Sequence, residues 1–568
     1  MSNSNSNNNI NNNISNGNNV NNKSILGNKL YLYLTEFFAG MSVMAVELGA
    51  SRLMAPYFSS SQIVWTIIIG TIMIAMALGN IMGGRWADKD PNPDKLYGRI
   101  IIASIWIALI PVVGKYIILG VSALLVFSIN NNFLIIAAFV ACMLIFVFPL
   151  FLLGTVTPSL VKYTVDSLDD SGKTVGYLNA SNTIGSIIGT FVPTFISIPA
   201  VGTSITFLIF AGILLILAIL YFVTGHKKSV KAVVGVIILI ISCIFGHSSS
   251  FAFWQNDLTY EGESIYNYLQ VYEDSSKVVL STNVLFGVQS VYKKEKTLTG
   301  MYYDYAMAAP YMAGLQDKRN AGQTLNILVL GMGTGTYATQ CNRYFGESVN
   351  VKGVEIDQKI TDLAREYFEL PDSVDVVTYD GRAYLQGLNA GGKKAKVEAD
   401  IKYDVIMVDA YQDITIPFQM SSVEFFTLVR DRLTEDGVMV VNMNMKSDSE
   451  GGINDYLSDT IASVFSTVYT VDVKNNTNRE LFASNNPDMA DRFFYDAAYS
   501  SDGDIQKMIK MVNDGLVKYE AGNRILTDDK APVELLSMKA IDEIIEEEVS
   551  YYKEVYKERG WKGVLEEF

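Results

Sequence analysis

Three features of the chain predict a two-part fold: an α-helical multi-span membrane region, then an α/β doubly wound domain with a small β-hairpin unit at its N-terminal side. Seven apolar segments occupy residues 31–246, most of them near the ~20 residues that cross a bilayer as a helix. From residue 325 onward, short apolar runs alternate with helix-like stretches, the pattern of a parallel sheet with crossover helices. NILVLGMGTG, residues 326–335, runs from a strand-like segment into three glycines at alternate positions, the form of a nucleotide loop at the carboxyl edge of such a sheet.

Residues 1–22 are mostly Asn and Ser, too polar to bury a core, and lack the basic start and apolar core of a signal peptide. Composition then divides the chain into a disordered Asn-rich tail (1–29), a membrane domain of about seven helices (30–250), a small β unit (251–315), a Rossmann-like domain (316–545) and an acidic C-terminal helix (546–568). The apolar segments run over about 31–55, 62–83, 98–128, 133–160, 178–199, 203–223 and 230–246. They contain few charges: Glu36, Glu47, Arg52 and Lys115. Glu47 and Arg52, five apart, are expected to pair locally or snorkel, while Gly79, Gly83, Gly185 and Gly189 suit close helix packing. A multi-pass protein of the cell membrane, with the lipid bilayer as a partner, follows.

Charge is divided the same way. Residues 1–250 hold 13 Lys/Arg and 8 Asp/Glu, net +5, so a total of −15 leaves −20 for the rest. An acidic soluble half disfavours nucleic acid and favours a cationic substrate. With seven spans, Lys23, Lys29, Arg85, Lys89, Lys95, Arg99, Lys162, Lys173, Lys227, Lys228 and Lys231 fall on one side of the membrane, and the opposite loops carry no Lys or Arg. The positive-inside rule puts that basic side in the cytoplasm and the soluble domain outside, which is at odds with a cofactor made in the cytoplasm.

Cys142, Cys243 and Cys341 have no CxxC spacing, so no metal site or disulfide framework is expected. The only histidines, His226 and His247, lie in or at the end of the membrane half. Proton transfer in the soluble half therefore falls to carboxylate, Tyr or Lys, and Ser-His and Cys-His mechanisms are excluded.

Residues 263–295 alternate apolar and polar around Asp274-Ser275-Ser276, a hairpin unit. Strands are expected at 325–330, 349–355, 374–379, 403–409, 437–443, 467–473 and 479–483, with helices at 335–345, 358–369, 381–389 and 421–433. Ligands in such a sheet lie at the carboxyl ends of the strands. There the sequence has Gly331, Gly333 and Gly335, then Glu355 and Asp357, then Asp380 with Gly381, then Asp409. GMGTGT lacks the GxGxxG step suited to a pyrophosphate, and an Asp-Gly step like Asp380-Gly381 is typical of the adenine contact in sulfonium-nucleoside enzymes. No tightly bound cofactor is expected, and a sulfonium nucleoside is expected as co-substrate.

These residues resemble the spermidine synthase family, the polyamine aminopropyltransferases, in a form fused to a transporter-like multi-span region. The resemblance is carried by residues 47–70 and 79–88, by SIYNYLQVYE, the glycine loop, VEID, YDGRAYL, YDVIMVDAY, IPFQM and LTDDKAPVE. It implies a methyltransferase-type sheet and transfer of an aminopropyl group from decarboxylated S-adenosylmethionine to a polyamine such as putrescine. Residue by residue, it implies Glu355 on the ribose hydroxyls, Asp380 on the adenine amine and Asp409 as the base. Tyr302 or Tyr303 would line the pocket between the substrates, Gln289 would close the hairpin before it, and Asp413 would bind the acceptor. A homodimer is a further expectation.

Two positions depart from the family. Thr334 stands where its glycine loop carries the Asp that grips the donor amine, and Asp-Ser-Ser-Asp is replaced by Asp409-Ala410-Tyr411-Gln412-Asp413. Asp528 and Asp529 are candidates for the missing charge. The departures keep open intact S-adenosylmethionine as donor in a methyltransferase-like reaction, and a non-catalytic polyamine transport or sensing role.

Overall fold

The computed structural model describes residues 28–567 except 127–131, 165–170, 249, 256, 285–286, 391–400, 412–414, 445–449 and 498–499. Its N-terminal half is a bundle of α1 (Lys29–Phe58), α2 (Gln62–Lys89), α3 (Pro93–Leu125), α4 (Phe133–Gly154), α5 (Val156–Thr164), α6 (Ser171–Val192), α7 (Ile198–Thr224) and α8 (Val230–Phe245). Five helical stretches are long and apolar enough to cross a membrane, the last being the 53-residue Gly172–Thr224.

That last stretch is two passes. Gly185 and Gly189 on α6 lie against the backbone of Phe37 and Met41, so α6 runs in the same direction as α1. Phe207 on α7 packs on Gly49, and Leu217 accepts a hydrogen bond of 2.6 Å from Tyr31 near the start of α1, so α7 runs the opposite way. The chain reverses near Gly202, whose φ of +82° no β-substituted residue adopts easily. The bundle therefore has six long passes and the shorter α8, of 16 residues. Met73, Ile81, Leu124, Phe195, Val223 and Phe245 face outward, each more than half exposed, a surface compatible with insertion into a membrane.

Glycines bring the helices close. A Cβ on Gly79 would lie 2.3 Å from the carbonyl oxygen of Phe151, and one on Gly185 would lie 1.9 Å from that of Phe37. Glu36 is fully buried, accepting from Thr157 Oγ1 at 2.5 Å and Asn182 Nδ2 at 2.7 Å. Arg52 does not pair with Glu47 as the spacing suggested. Its guanidinium reaches out of the bundle to the carbonyl oxygens of Ser264, at 3.2 Å, and Ile265. Carbonyls at the bundle's rim are reached by a long side chain with less desolvation than an acid inside it.

The second half starts with β1 (Leu258–Glu263), β2 (Tyr268–Glu273), β3 (Lys277–Ser281) and β4 (Ser290–Lys293), an antiparallel sheet in sequential order. It is two strands larger than the expected hairpin, because β1 pairs with the outer edge of β2 and β4 with that of β3. The Asp274 carboxylate accepts from the N–H groups of Ser276 and Lys277 and so builds the β2–β3 turn. Then follow β5 (Leu325–Leu330), β6 (Val349–Glu355), β7 (Asp375–Thr378), β8 (Tyr403–Val408), β9 (Leu433–Met443), β10 (Thr467–Asp472), β11 (Arg479–Ser484) and β12 (Val517–Lys518).

The sheet order is β12-β10-β11-β9-β8-β5-β6-β7. Strands β5 to β9 are parallel, and β10 to β12 are antiparallel additions at one edge. Strand order reverses between β5 and β8, the crevice where such sheets bind ligands. The expected acidic C-terminal helix is the far part of a helix that starts earlier, Val533–Glu567, with a break at Gly560.

The halves meet at one end of the bundle. Glu534 accepts from the first N–H of α2 (Gln62, 2.6 Å), Asp542 from Asn132 at the start of α4 (3.0 Å), and Glu263 from Thr203, just past the Gly202 reversal (2.9 Å). Three carboxylates of the acidic half thus sit on helix N-termini, where unsatisfied N–H groups and the helix dipole favour negative charge.

Gly185→Ala and Gly189→Ala should each cost about 1–3 kcal/mol through overpacking, seen as a lower melting temperature of the detergent-solubilised chain. Gly212→Ala, whose Cβ has 3.8 Å of clearance, should melt at or above the unmodified chain. Equal melting of all three would remove close backbone contact as the reason for these glycines.

Candidate active site

The loop after β5 is shaped by three glycines in the left-handed region, with φ of +79° at Gly331, +58° at Gly333 and +86° at Gly335. A Cβ on Gly331 would lie 2.5 Å from the Asp409 carbonyl oxygen, and one on Gly335 would lie 2.3 Å from Leu370 Cδ1. Gly331 thus sets the β5 and β8 ends edge to edge, while Gly335 is needed for packing where the helix Thr336–Phe345 begins. The small sheet docks on this loop: Thr334 N–H donates to Ser290 Oγ (3.2 Å) and Val291 N–H to Thr336 Oγ1 (3.0 Å). Thr334 is buried and its own hydroxyl has no hydrogen-bond partner.

Glu355 ends β6 and ties the loop down. Its Oε2 accepts from Gly333 N–H at 2.8 Å and its Oε1 from Asp357 N–H at 3.0 Å. Burial raises its pKa above the ordinary carboxylate range, and these two N–H groups oppose that rise. Each oxygen keeps a lone pair for a further donor. Asp357 caps the helix Gln358–Tyr367 through Lys359 N–H and also accepts from Ser264 Oγ, so it anchors the β1–β2 turn.

Asp409 follows β8. Its Oδ2 accepts from Tyr302 Oη–H at 2.7 Å and its Oδ1 from Asn442 Nδ2 at 2.9 Å. Burial, with the nearby Glu355 charge adding to it, pushes its pKa up to about 7, against the pull of those two hydrogen bonds. A carboxyl group poised near neutrality at a strand end has the properties of a general base. The rings of Tyr302 and Tyr303 are 4.0 Å apart between centroids and tilted by 33°, both buried, and Tyr303 donates to the Gln289 carbonyl oxygen at 2.8 Å.

The structure therefore brings Gly331, Gly333, Glu355, Asp409, Tyr302 and Tyr303 together around one crevice, with Gln289 joining through its backbone. Asp380 is beside them in the chain path, since Tyr379 N–H donates to the Glu355 carbonyl oxygen at 2.9 Å. One of its oxygens is already used, accepting from Ala383 N–H at 2.7 Å as the cap of the helix Gly381–Ala390. A Cβ on Gly381 would lie 3.4 Å from Met420 Cε, at ordinary contact distance. Asp413 lies outside the described residues. Asp528 does not supply a free charge: Arg382 holds both its oxygens, at 2.7 and 2.5 Å, and Ser422 donates to one of them.

Sequence reasoning missed Asn442 and Ser290. Asn442 was hidden in an apolar strand, although its place near the carboxyl end of β9, one residue past Val441, the register partner of Val408, was the available signal.

Comparison with known proteins agrees with this construction. Residues 312–473 match the family model for the Spermine/spermidine synthase domain. A probable polyamine aminopropyl transferase of Bifidobacterium longum is 49% identical over 368 residues, covering 61% of this chain and 77% of that protein. A polyamine aminopropyltransferase of Vibrio vulnificus is 26% identical over 252 residues, covering 44% of this chain and 78% of that one. Among solved structures, a probable spermidine synthase from Corynebacterium glutamicum covers 47% of this chain and 98% of its own, with 18% identity and a TM-score of 0.34. The glycine loop, the acids at successive strand ends and the extent of identity to the Bifidobacterium protein together establish that this chain belongs to the polyamine aminopropyltransferases, a family of transferases.

Proposed function

We propose that the chain transfers an aminopropyl group from decarboxylated S-adenosylmethionine to one amine of a polyamine, in a site anchored to the membrane by its own N-terminal bundle. The observation that carries this reading is Asp409: buried, bonded through both oxygens, and set against the glycine loop. In the reaction the amine nitrogen forms a bond to the carbon next to sulfur while the carbon–sulfur bond breaks. The electron pair goes to sulfur, which leaves as a neutral thioether and needs no acid.

Catalysis then consists of alignment and of keeping the amine neutral. Glu355, held by Gly333 and Asp357, receives the ribose hydroxyls, and the second oxygen of Asp380 the adenine amine. Asp409 takes the proton from the attacking ammonium. Tyr302 and Asn442 fix the carboxylate plane, and the paired rings of Tyr302 and Tyr303 give the cation an aromatic wall. The bundle reads as a membrane anchor through its outward apolar faces.

We also assign the orientation. Lys29, Arg85, Lys89, Lys95, Arg99, Lys162, Lys173, Lys227 and Lys228 lie at the bundle end opposite the enzyme domain. The positive-inside rule directs that end to the cytoplasm, so the enzyme domain faces away from it and its donor has to be supplied there.

With decarboxylated donor and a diamine, purified full-length chain should give aminopropylated amine, and with intact S-adenosylmethionine none. Methylated amine instead would support a methyltransferase. Asp409→Asn should lower turnover by ~10² or more and abolish a rising limb of kcat/KM near pH 7; a mutant of equal rate removes Asp409 from the chemistry.

Asp409 also predicts how stability varies with pH. Its folded pKa of about 7 exceeds the unfolded carboxylate value, so the native chain holds the proton more tightly and loses stability as pH climbs from about 4 to 7. Asp409→Asn should therefore melt above the unmodified chain at pH 8, with the gap closing toward pH 4. For orientation, a C-terminal alkaline phosphatase fusion should be active in intact cells and a green fluorescent protein fusion dark; the opposite pair of results overturns the assignment.

A further inference from the structure

Among the described residues, Glu480 on β11 is the only carboxyl group with both oxygens buried and without a hydrogen-bond partner. It is 0% exposed, and nothing in the proposed mechanism uses it. Its position is fixed by register. Val408 pairs with Val441, which sets Asp409 abreast of Asn442, and Asn442 pairs directly with Glu480 across β9 and β11. Side chains at paired positions share a face, so Asp409, Asn442 and Glu480 form a row across three adjacent strands. Neighbouring strands are ~4.8 Å apart, so the two acid-bearing backbones are separated by roughly 10 Å.

The row is roofed by the helix Tyr302–Ala306, whose tyrosines share one buried cluster with Phe482 and Val440 from the same sheet face. The central amide gives Glu480 nothing: Asn442 donates to Asp409 and accepts from Asn478 Nδ2 at 2.7 Å. Tyr337, from the helix behind, donates to the Ala306 carbonyl oxygen. A lone buried carboxylate beside a second acid is costly, and burial, then the charge of Asp409, drives the Glu480 pKa well above its ordinary range. An arriving ammonium removes that cost.

We propose that Glu480 receives the second, non-reacting ammonium of a diamine acceptor while the reacting amine lies at Asp409. This rests on the aminopropyl-transfer reading above. The nitrogens of an extended four-carbon diamine are roughly 6 Å apart, a length that fits between two side chains reaching inward from the ends of the row. Glu480 is thereby a specificity residue that selects diamines over monoamines.

The test uses the full chain in detergent, decarboxylated S-adenosylmethionine, and either a four-carbon diamine or butylamine. Glu480→Gln should raise KM for the diamine at least about tenfold, the scale of one charge-assisted hydrogen bond, with kcat/KM for butylamine within about twofold and KM for the donor unchanged. Glu480→Asp should fall between. An unchanged diamine-to-monoamine ratio, or a rise in donor KM instead, overturns the assignment. If the unmodified chain transfers to no amine, the functional reading fails, and calorimetry with the diamine alone still decides Glu480: tenfold weaker binding by Glu480→Gln supports it, and equal binding sinks it.

Discussion

Glu355 is the constraint on which the crevice depends. A single carboxylate holds Gly333 with one oxygen and Asp357 with the other, so the glycine loop, the end of β6 and the next helix share one fixed point. Three further positions follow from it. Asp357, so placed, caps its helix and holds the β1–β2 turn through Ser264. The loop presents Thr334 and Thr336 to β4, which seats the small sheet over the crevice. Gly331 is kept close enough to β8 that Asp409 comes up beside the loop. The cost is a buried acid raised in pKa, accepted because the same carboxylate faces the nucleoside under the proposed reaction.

The polar pieces of the sheet are concentrated on one face at one edge. Along β8, β9 and β11 the residues facing the tyrosine-bearing helix are apolar through Val405, Met407, Val438, Val440 and Phe482. At the end next to the glycine loop they turn polar, at Asp409, Asn442 and Glu480. An apolar floor under a polar rim lowers the local dielectric, which strengthens the hydrogen bonds of Asp409 and makes any bound cation matter more.

Much of this was legible in the chain. Strands β5, β6 and β8 match their expected bounds closely: β5 and β8, buried on both faces, read as nearly unbroken apolar runs, while β6 alternates apolar and polar over its first four residues. The glycines and the acids at 355, 380 and 409 were readable because strand ends are where such residues are otherwise uncommon. What stayed hidden depends on distant partners. The five-residue spacing of Arg52 and Glu47 allows a local pair or snorkelling but does not reveal the acceptors, which are more than two hundred residues away in the β1–β2 turn. The reversal at Gly202, by contrast, was legible, because it falls in the gap left between the expected apolar segments 178–199 and 203–223. Glu480 carried a faint signal: in RELFAS it shares the face of Phe482, an acid on the inward side of a strand.

The junction between the halves has a consequence for how the molecule can be divided. Helices α2 and α4 begin with N–H groups that the bundle itself leaves bare at its rim, and the chain past Gly202 does the same. Their acceptors come from Glu534, Asp542 and Glu263, which are spread across the whole C-terminal half rather than gathered in a linker. Severing the chain near residue 250 would therefore strip stoppers from both pieces at once. The C-terminal half is built as a keystone of the helical bundle, and a truncated bundle would have to find other acceptors to fill those places.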